Sequence, residues 1–203
     1  TWQAVPDATE YRVHGRTPGG AAEYWTVTGT SFTDTGVPGK PGAPPSEGTR
    51  WQVKNVFELK SARRVRVQYN LFENNWKAGQ PGYAIVLTPR NQDGRCTWCV
   101  IESVDFSHNI VRNTTAAFNI SGYDTNHPTL QTRDVRIAEN LIYGVTTALG
   151  GNGWGVLIGD EPRDVAFDRN TFEFDGTTLL YAYGGTATAP RAILGFQFTN
   201  NAA

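Results

Sequence analysis

The chain predicts an all-β fold of stacked coils, a parallel β-helix, and three observations carry that expectation. The first is a repeat. Val65-x-Val67-x-x-Asn70, Val104-x-Phe106-x-x-Asn109, Val135-x-Ile137-x-x-Asn140, Val165-x-Phe167-x-x-Asn170 and Phe196-x-Phe198-x-x-Asn201 place their asparagines 39, 31, 30 and 31 positions apart. A period of roughly 20–50 residues marks an architecture in which each unit stacks on the last. The second is a strand-like run before each signature: Val56–Leu59, Tyr83–Leu87, Ala117–Ile120, Gly155–Ile158 and Thr178–Tyr181. The third is the lack of any capped, helix-period apolar segment, which removes βαβ units and leaves strand stacked on strand.

Composition agrees. Of 203 residues, 39% are hydrophobic and only 18% charged, so surface polarity must come from Gly, Thr, Asn and Ser; 22 Gly and 11 Pro supply the turns. The formal net charge of -1 argues against a nucleic-acid partner, which demands a basic surface. Arg63, Arg64 and Arg66 form a small basic cluster, and strand alternation predicts Arg64 and Arg66 outward together. No apolar run approaches the roughly 20 residues that span a bilayer. The chain holds no Met, and both ends read as cut from a longer protein.

Element by element, residues 1–37 carry strand-like runs at Trp2–Val5, Tyr11–His14 and Trp25–Thr28, with turns at Pro6-Asp7 and Thr17–Gly20. From Trp2 to Gly36 they resemble the middle strands of a fibronectin type III domain, a module that spaces or adheres. Residues 38–50, Pro-rich, read as an extended linker. Residues 51–203 read as the β-helix, about five coils of two strands each. The repeated asparagines then suit tight corners, where Asn tolerates a left-handed backbone. Asn70, Asn109, Asn140, Asn170 and Asn201 are expected to pile into a ladder with amide bonding to amide.

Asn70-Leu71-Phe72-Glu73-Asn74-Asn75, Asn109–Asn113 and Asn170-Thr171-Phe172 resemble right-handed parallel β-helix repeats of the pectate-lyase-like superfamily. Val53–Lys60, Thr88–Gly94 and Gly150–Trp154 are similar to stretches of secreted bacterial β-helix proteins. The resemblance implies a right-handed helix, a carbohydrate partner and a secreted or cell-surface bacterial location. It implies no single reaction. Neither the Asp-His pair of pectate lyases nor the Gly-His-Gly with Arg-Ile-Lys of polygalacturonase-like hydrolases is present.

Loops along one face of a repeat protein commonly form its binding surface. The first interval, 39 against 30 or 31 elsewhere, places an insertion at Pro89–Cys99 carrying Asp93 and Trp98. Cys96 and Cys99 are expected to close this loop as a disulfide; free thiols, a metal half-site or redox chemistry are the alternatives. Segments following the first strand of each coil should align, bringing Arg90, Tyr123, Asp124, His127, Asp160 and Glu161 to one edge. Arg90, Asp124 and Asp160 are the catalytic candidates, because a lyase needs a cation beside a uronate and a base, and a hydrolase needs paired acids. Tyr123, His127, Glu161, Asp93 and Trp98 are the substrate-binding candidates. The same residues equally suit turns. Glu58 and Lys60 are expected to form cross-rung surface pairs, and His108 to serve a corner.

Three functions remain open: polysaccharide binding along this edge; a polysaccharide lyase or glycoside hydrolase acting on neutral or acidic glycans; and a structural or filament-forming surface protein that self-associates through open β-helix ends. No cofactor or metal is implied, with calcium left open.

Overall fold

The computed structural model describes residues 1–15, 21–42, 52–185 and 191–203. The chain divides into two compact units, Thr1–Trp51 and Gln52–Ala203.

In the first unit, β1 (Tyr11–Gly15) pairs antiparallel with β2 (Glu23–Val27), and β2 with β3 (Lys40–Pro41). Two expectations change here. Trp2–Val5 is not a strand; Trp2 instead donates its backbone N–H to the Thr30 carbonyl. Lys40–Pro41, read from sequence as linker, completes the sheet. The expected turn at Thr17–Gly20 and the linker residues 43–50 lie outside the described residues.

The second unit winds through five rungs. The first holds β4 (Phe57–Leu59), β5 (Ala62–Gln68) and β6 (Leu71–Asn75), and the second β7 (Tyr83–Leu87), β8 (Ile101–Ser107) and β9 (Ile110–Thr114). The third holds β10 (Ala116–Ser121), β11 (Arg133–Ala138) and β12 (Leu141–Val145). The fourth holds β13 (Trp154–Gly159), β14 (Arg163–Asp168) and β15 (Thr171–Phe174), and the fifth β16 (Thr178–Ala182) and β17 (Gln197–Thr199). Like strands pair in parallel into three sheets, β4-β7-β10-β13-β16, β5-β8-β11-β14-β17 and β6-β9-β12-β15. This is a parallel β-helix, with three strands per coil where the sequence suggested two. The third strand begins directly after Asn70, Asn109, Asn140 and Asn170 and is short, which hid it among turn residues.

Parallel stacking at about 4.8 Å brings equivalent side chains into columns. Val65, Val104, Val135 and Val165 form one, and Val67, Phe106, Ile137, Phe167 and Phe198 another. Facing them across the interior, Phe118 packs edge-on against both Phe106 and Phe167. This core positions the loops because each inward column fixes the register of its rung: a one-residue slip would turn buried side chains outward.

The asparagine ladder closes the corner between the second and third sheets. Asn140 Oδ1 accepts from the backbone N–H of Asn109 at 2.9 Å and from its Nδ2 at 3.2 Å. Its own Nδ2 donates to Asn170 Oδ1 at 2.9 Å and to the Phe106 carbonyl at 3.0 Å. The pattern repeats from Asn70 to Asn201. The left-handed backbone belongs to the residue before each asparagine: Tyr69, His108, Glu139, Arg169 and Asn200 have φ between 53° and 60°. The amide is selected for its bonding capacity, not for its tolerance of that conformation.

A second left-handed column, Arg64, Ser103, Asp134 and Asp164, bulges the second sheet. Arg64 and Arg66 are exposed as expected, and the bulge breaks alternation so that Arg63 is exposed beside them. Arg63 meets Glu102 at 3.2 Å and Arg66 meets Asp105 at 3.9 Å. Glu58 and Lys60 pair with each other at 3.8 Å within one rung, where cross-rung pairing was expected. His108 sits at its corner, 3.0 Å from Glu139.

Candidate functional site

The connections from the first sheet to the second stack along one edge, and the insertion lies there. Its anchor is Asn91, fully buried, whose Nδ2 donates to the Pro128 carbonyl and whose Oδ1 accepts from the Cys96 N–H. Cys96 and Cys99 form a disulfide that closes the tip. The Cys99 carbonyl accepts from the Leu130 N–H at 3.0 Å, tying the tip to the next rung. Trp98, held on this ring, is 66% exposed.

Asp124 fastens the insertion from the neighbouring rung. Its carboxylate accepts from the Asn91 N–H at 2.8 Å, the Asn126 N–H at 3.0 Å and Arg90 Nη1 at 3.2 Å. The side chain is only 4% exposed. Burial alone would push this carboxyl upward; the N–H groups of Asn126 and Asn91, with Arg90, outweigh burial and hold its pKa below the ordinary value. Asp124 is therefore an ionised carboxylate with three donors fixed on it, which suits holding a loop far better than exchanging protons.

Two clefts meet at Asp124. One, of about 290 Å³, is bordered by Lys60, Arg90, Asp93 and His127. The other, of about 420 Å³, is bordered by Tyr123, Asp160, Glu161 and Arg191. Asp160 Oδ2 accepts from Ser121 Oγ at 2.7 Å and from the Tyr183 hydroxyl at 3.0 Å. Burial, then the Asp160 charge, then the hydrogen bond to it push the Tyr183 phenol up to about 12, so it stays a donor at neutral pH. Glu161 pairs with Arg191 at 3.0 Å. Asp160 and Glu161 both adopt left-handed backbone, φ 55° and 60°, which turns the chain sharply. The turn passes so near Gly122 that a Cβ there would lie 1.9 Å from the Asp160 carbonyl oxygen.

A third cleft, about 290 Å³, lies on the outer face of the first sheet among Glu58, Lys60, Tyr83, Arg90 and Asn119. Lys60 and Arg90 border this cleft and the first loop cleft alike, so sheet face and loop edge share one polar wall. Further along that face, Trp154 and Tyr181 stack with ring centroids 4.7 Å apart.

The edge thus gathers Arg90, Asp93, Tyr123, Asp124, His127, Asp160 and Glu161 across three rungs. Arg90 touches Asp124, while Asp160 shares with Asp124 the lining of the larger cleft, which Arg90 does not border. Trp98 borders neither loop cleft. Sequence reasoning passed over Lys60 as a site residue, and Ser121, Tyr183 and Arg191 altogether. Tyr181-Ala182-Tyr183 did carry a signal: alternation turns both tyrosines to one face. Among the described residues, no group of three or more His, Cys, Asp or Glu is placed to hold a metal ion. Comparison with protein families, with curated proteins and with solved structures returns no match.

Proposed function

We propose that this chain is a polysaccharide-binding β-helix of an extracellular or cell-surface bacterial protein, with recognition along the loop edge and the adjoining sheet face. The carrying observation is the run of three open clefts joined through Lys60, Arg90 and Asp124. Shallow, polar, elongated surfaces of this kind suit a chain of hydroxyl groups, whereas drug-like ligands favour deep apolar pockets. The disulfide suits an oxidising compartment. The repeat pattern supports placing the coils with the pectate-lyase-like superfamily, and the aromatic strands of residues 1–37 support a fibronectin type III-like segment.

Recognition is favoured over turnover by the state of the carboxylates. Acid–base catalysis needs a group free to gain or lose a proton near neutral pH. Asp124 is held ionised by three donors. A glycan array incubated with the whole chain, followed by product analysis, tests the reading. Retention of a glycan without cleavage is expected. Unsaturated products absorbing in the ultraviolet, or new reducing ends, would replace binding by lyase or hydrolase activity. Fibres forming with concentration, and no glycan retained, would replace it by a structural role.

A further inference from the structure

The outer face of the first sheet ends, at rungs four and five, in three aromatic side chains, of which only Tyr183 reaches the loop edge, through its hydroxyl. Trp154 and Tyr181 stack at an interplanar angle of 21°, and Tyr183 lies 6.2 Å from Tyr181. Tyr183 covers a glycine: a Cβ on Gly159 would come within 2.0 Å of its Cε1 and Cζ. One side of that ring is pressed against backbone, and the residue is nevertheless 39% exposed. Tyr181 is 45% exposed. The hydroxyl of Tyr183 is fixed by Asp160, so its ring cannot swing away without breaking a hydrogen bond to a carboxylate.

From these contacts we infer a stacking platform for one neutral pyranose unit, formed by Tyr181 and Tyr183 with Trp154 as buttress and Asp160 as hydrogen-bond acceptor. This inference rests on the polysaccharide reading and names the sugar that this end of the surface takes. A pyranose presents an apolar face of C–H groups and a rim of hydroxyls, and a ring held flat beside a carboxylate meets both demands. Asp160 Oδ2 accepts from Ser121 and Tyr183, which sets the carboxylate at the edge of the Tyr183 ring as an acceptor for a sugar hydroxyl. Charge selects the class. Asp160 and Glu161 stand beside this platform, with Arg191 already paired to Glu161. An anionic sugar would face an excess of carboxylates here, whereas the sheet-face cleft of the earlier rungs holds Lys60 and Arg90 against Glu58 alone. The platform is therefore neutral-selective.

The test uses the whole chain with cellohexaose, xylohexaose, mannohexaose and oligogalacturonate as probes, read by titration calorimetry and by saturation transfer from aromatic protons to sugar protons. At least one neutral hexasaccharide is expected to bind, with saturation concentrated on one face of a single ring. Tyr181→Ala combined with Tyr183→Ala should weaken that binding at least tenfold. Tyr181→Phe, which keeps the ring, should bind within twofold of the parent. Circular dichroism and the thermal midpoint establish that each variant is folded; should the double variant unfold, Tyr181→Ala alone carries the test, with at least a threefold loss expected. Neutral binding that survives loss of the rings overturns the platform and leaves the polysaccharide reading standing. Binding of oligogalacturonate alone does the same. Silence across the whole panel overturns both.

Discussion

Replacing Asn140 by leucine removes the central step of the ladder while conserving bulk, and the structure gives the size of the loss. Asn140 is 2% exposed and its side chain takes part in four hydrogen bonds. Two of the partners have other recourse: Asn109 Nδ2 also donates to the Val67 and Ser107 carbonyls, and Asn170 Oδ1 also accepts from the Asn140 N–H. The Asn109 N–H loses its acceptor outright, and the Phe106 carbonyl loses the amide donor. At about 1–3 kcal/mol for each buried group left unpaired, Asn140→Leu should destabilise by about 2–6 kcal/mol. Asn70 stands at the exposed end of the same column and donates to Gln68 O and Asn109 Oδ1, but among the described residues its own side chain accepts no hydrogen bond. Asn70→Leu should therefore cost about 1 kcal/mol. Urea titration measures the difference, and hydrogen exchange at the Asn109 amide locates it. Protection of that amide should collapse in Asn140→Leu and persist in Asn70→Leu. Equal costs at both positions, or unchanged exchange at Asn109, would refute the view that the ladder works by satisfying buried backbone.

Three further outcomes follow from the loop edge. The Asp124 carboxyl lies below its ordinary value of 3.8, so its contribution is complete above that pH and is lost as pH falls through the folded value; Asp124→Asn should remove this acid-dependent release of the insertion, read as protease cleavage near Trp98 against pH. Cys96→Ser with Cys99→Ser opens a ring of sequence separation 3, for which chain entropy assigns about 2 kcal/mol, so a loss in thermal stability near that size is expected and a loss of the whole fold would contradict it. Gly122→Ala drives a Cβ into the Asp160 carbonyl and the Glu161 backbone, and should cost about 3 kcal/mol or more, whereas Gly29→Ala, with nothing within 4 Å, should leave the urea midpoint unchanged.

The fold was legible because a parallel coil writes itself into the chain repeatedly. Each rung needs Val or Phe at the same inward positions and an amide at the same corner, so the period survives even where loops vary. The third strand was not legible, since Leu71–Asn75 and Ile110–Thr114 mix inward Phe72 and Val111 with outward Glu73 and Arg112 over only five residues. The bulge at Arg64, Ser103, Asp134 and Asp164 was hidden for a different reason: four unlike residues share one backbone conformation imposed by stacking, which local composition does not record. At the site, alignment of loops followed from the period, but the partners did not. Nothing in the spacing tells that Asp124 would receive the N–H of Asn91, thirty-three positions earlier. Tyr183 and Asp160 meet because Gly159 leaves room for a ring, a steric fact that appears only once rungs are superposed.

The distribution of charge along the axis gives the binding proposal a direction. On the outer face of the first sheet, register places Glu58, Val86, Asn119, Leu157 and Tyr181 in one column, one residue per rung. From rung one to rung five the column reads charged, apolar, amide, apolar and aromatic. With rungs about 4.8 Å apart, its length of four steps is about 19 Å, a span over which successive sugar units would meet different chemistry. Lys60 and Arg90 outnumber Glu58 at one end, and Asp124, Asp160 and Glu161 outnumber Arg191 at the other. A uniform glycan could slide along a uniform face, but this gradient fixes one orientation and one register. A chain carrying its anionic units toward rungs one and two, and a neutral unit at rungs four and five, sets its charges against the cationic excess and its neutral ring against Tyr181. Reversing that chain sets anions against Asp160 and leaves Tyr181 facing a charged ring. Extending a neutral oligosaccharide by one uronate at its reducing end, and in a separate sample at its other end, should therefore strengthen binding in one case and weaken it in the other. Equal affinities for the two would remove the gradient as a determinant of orientation.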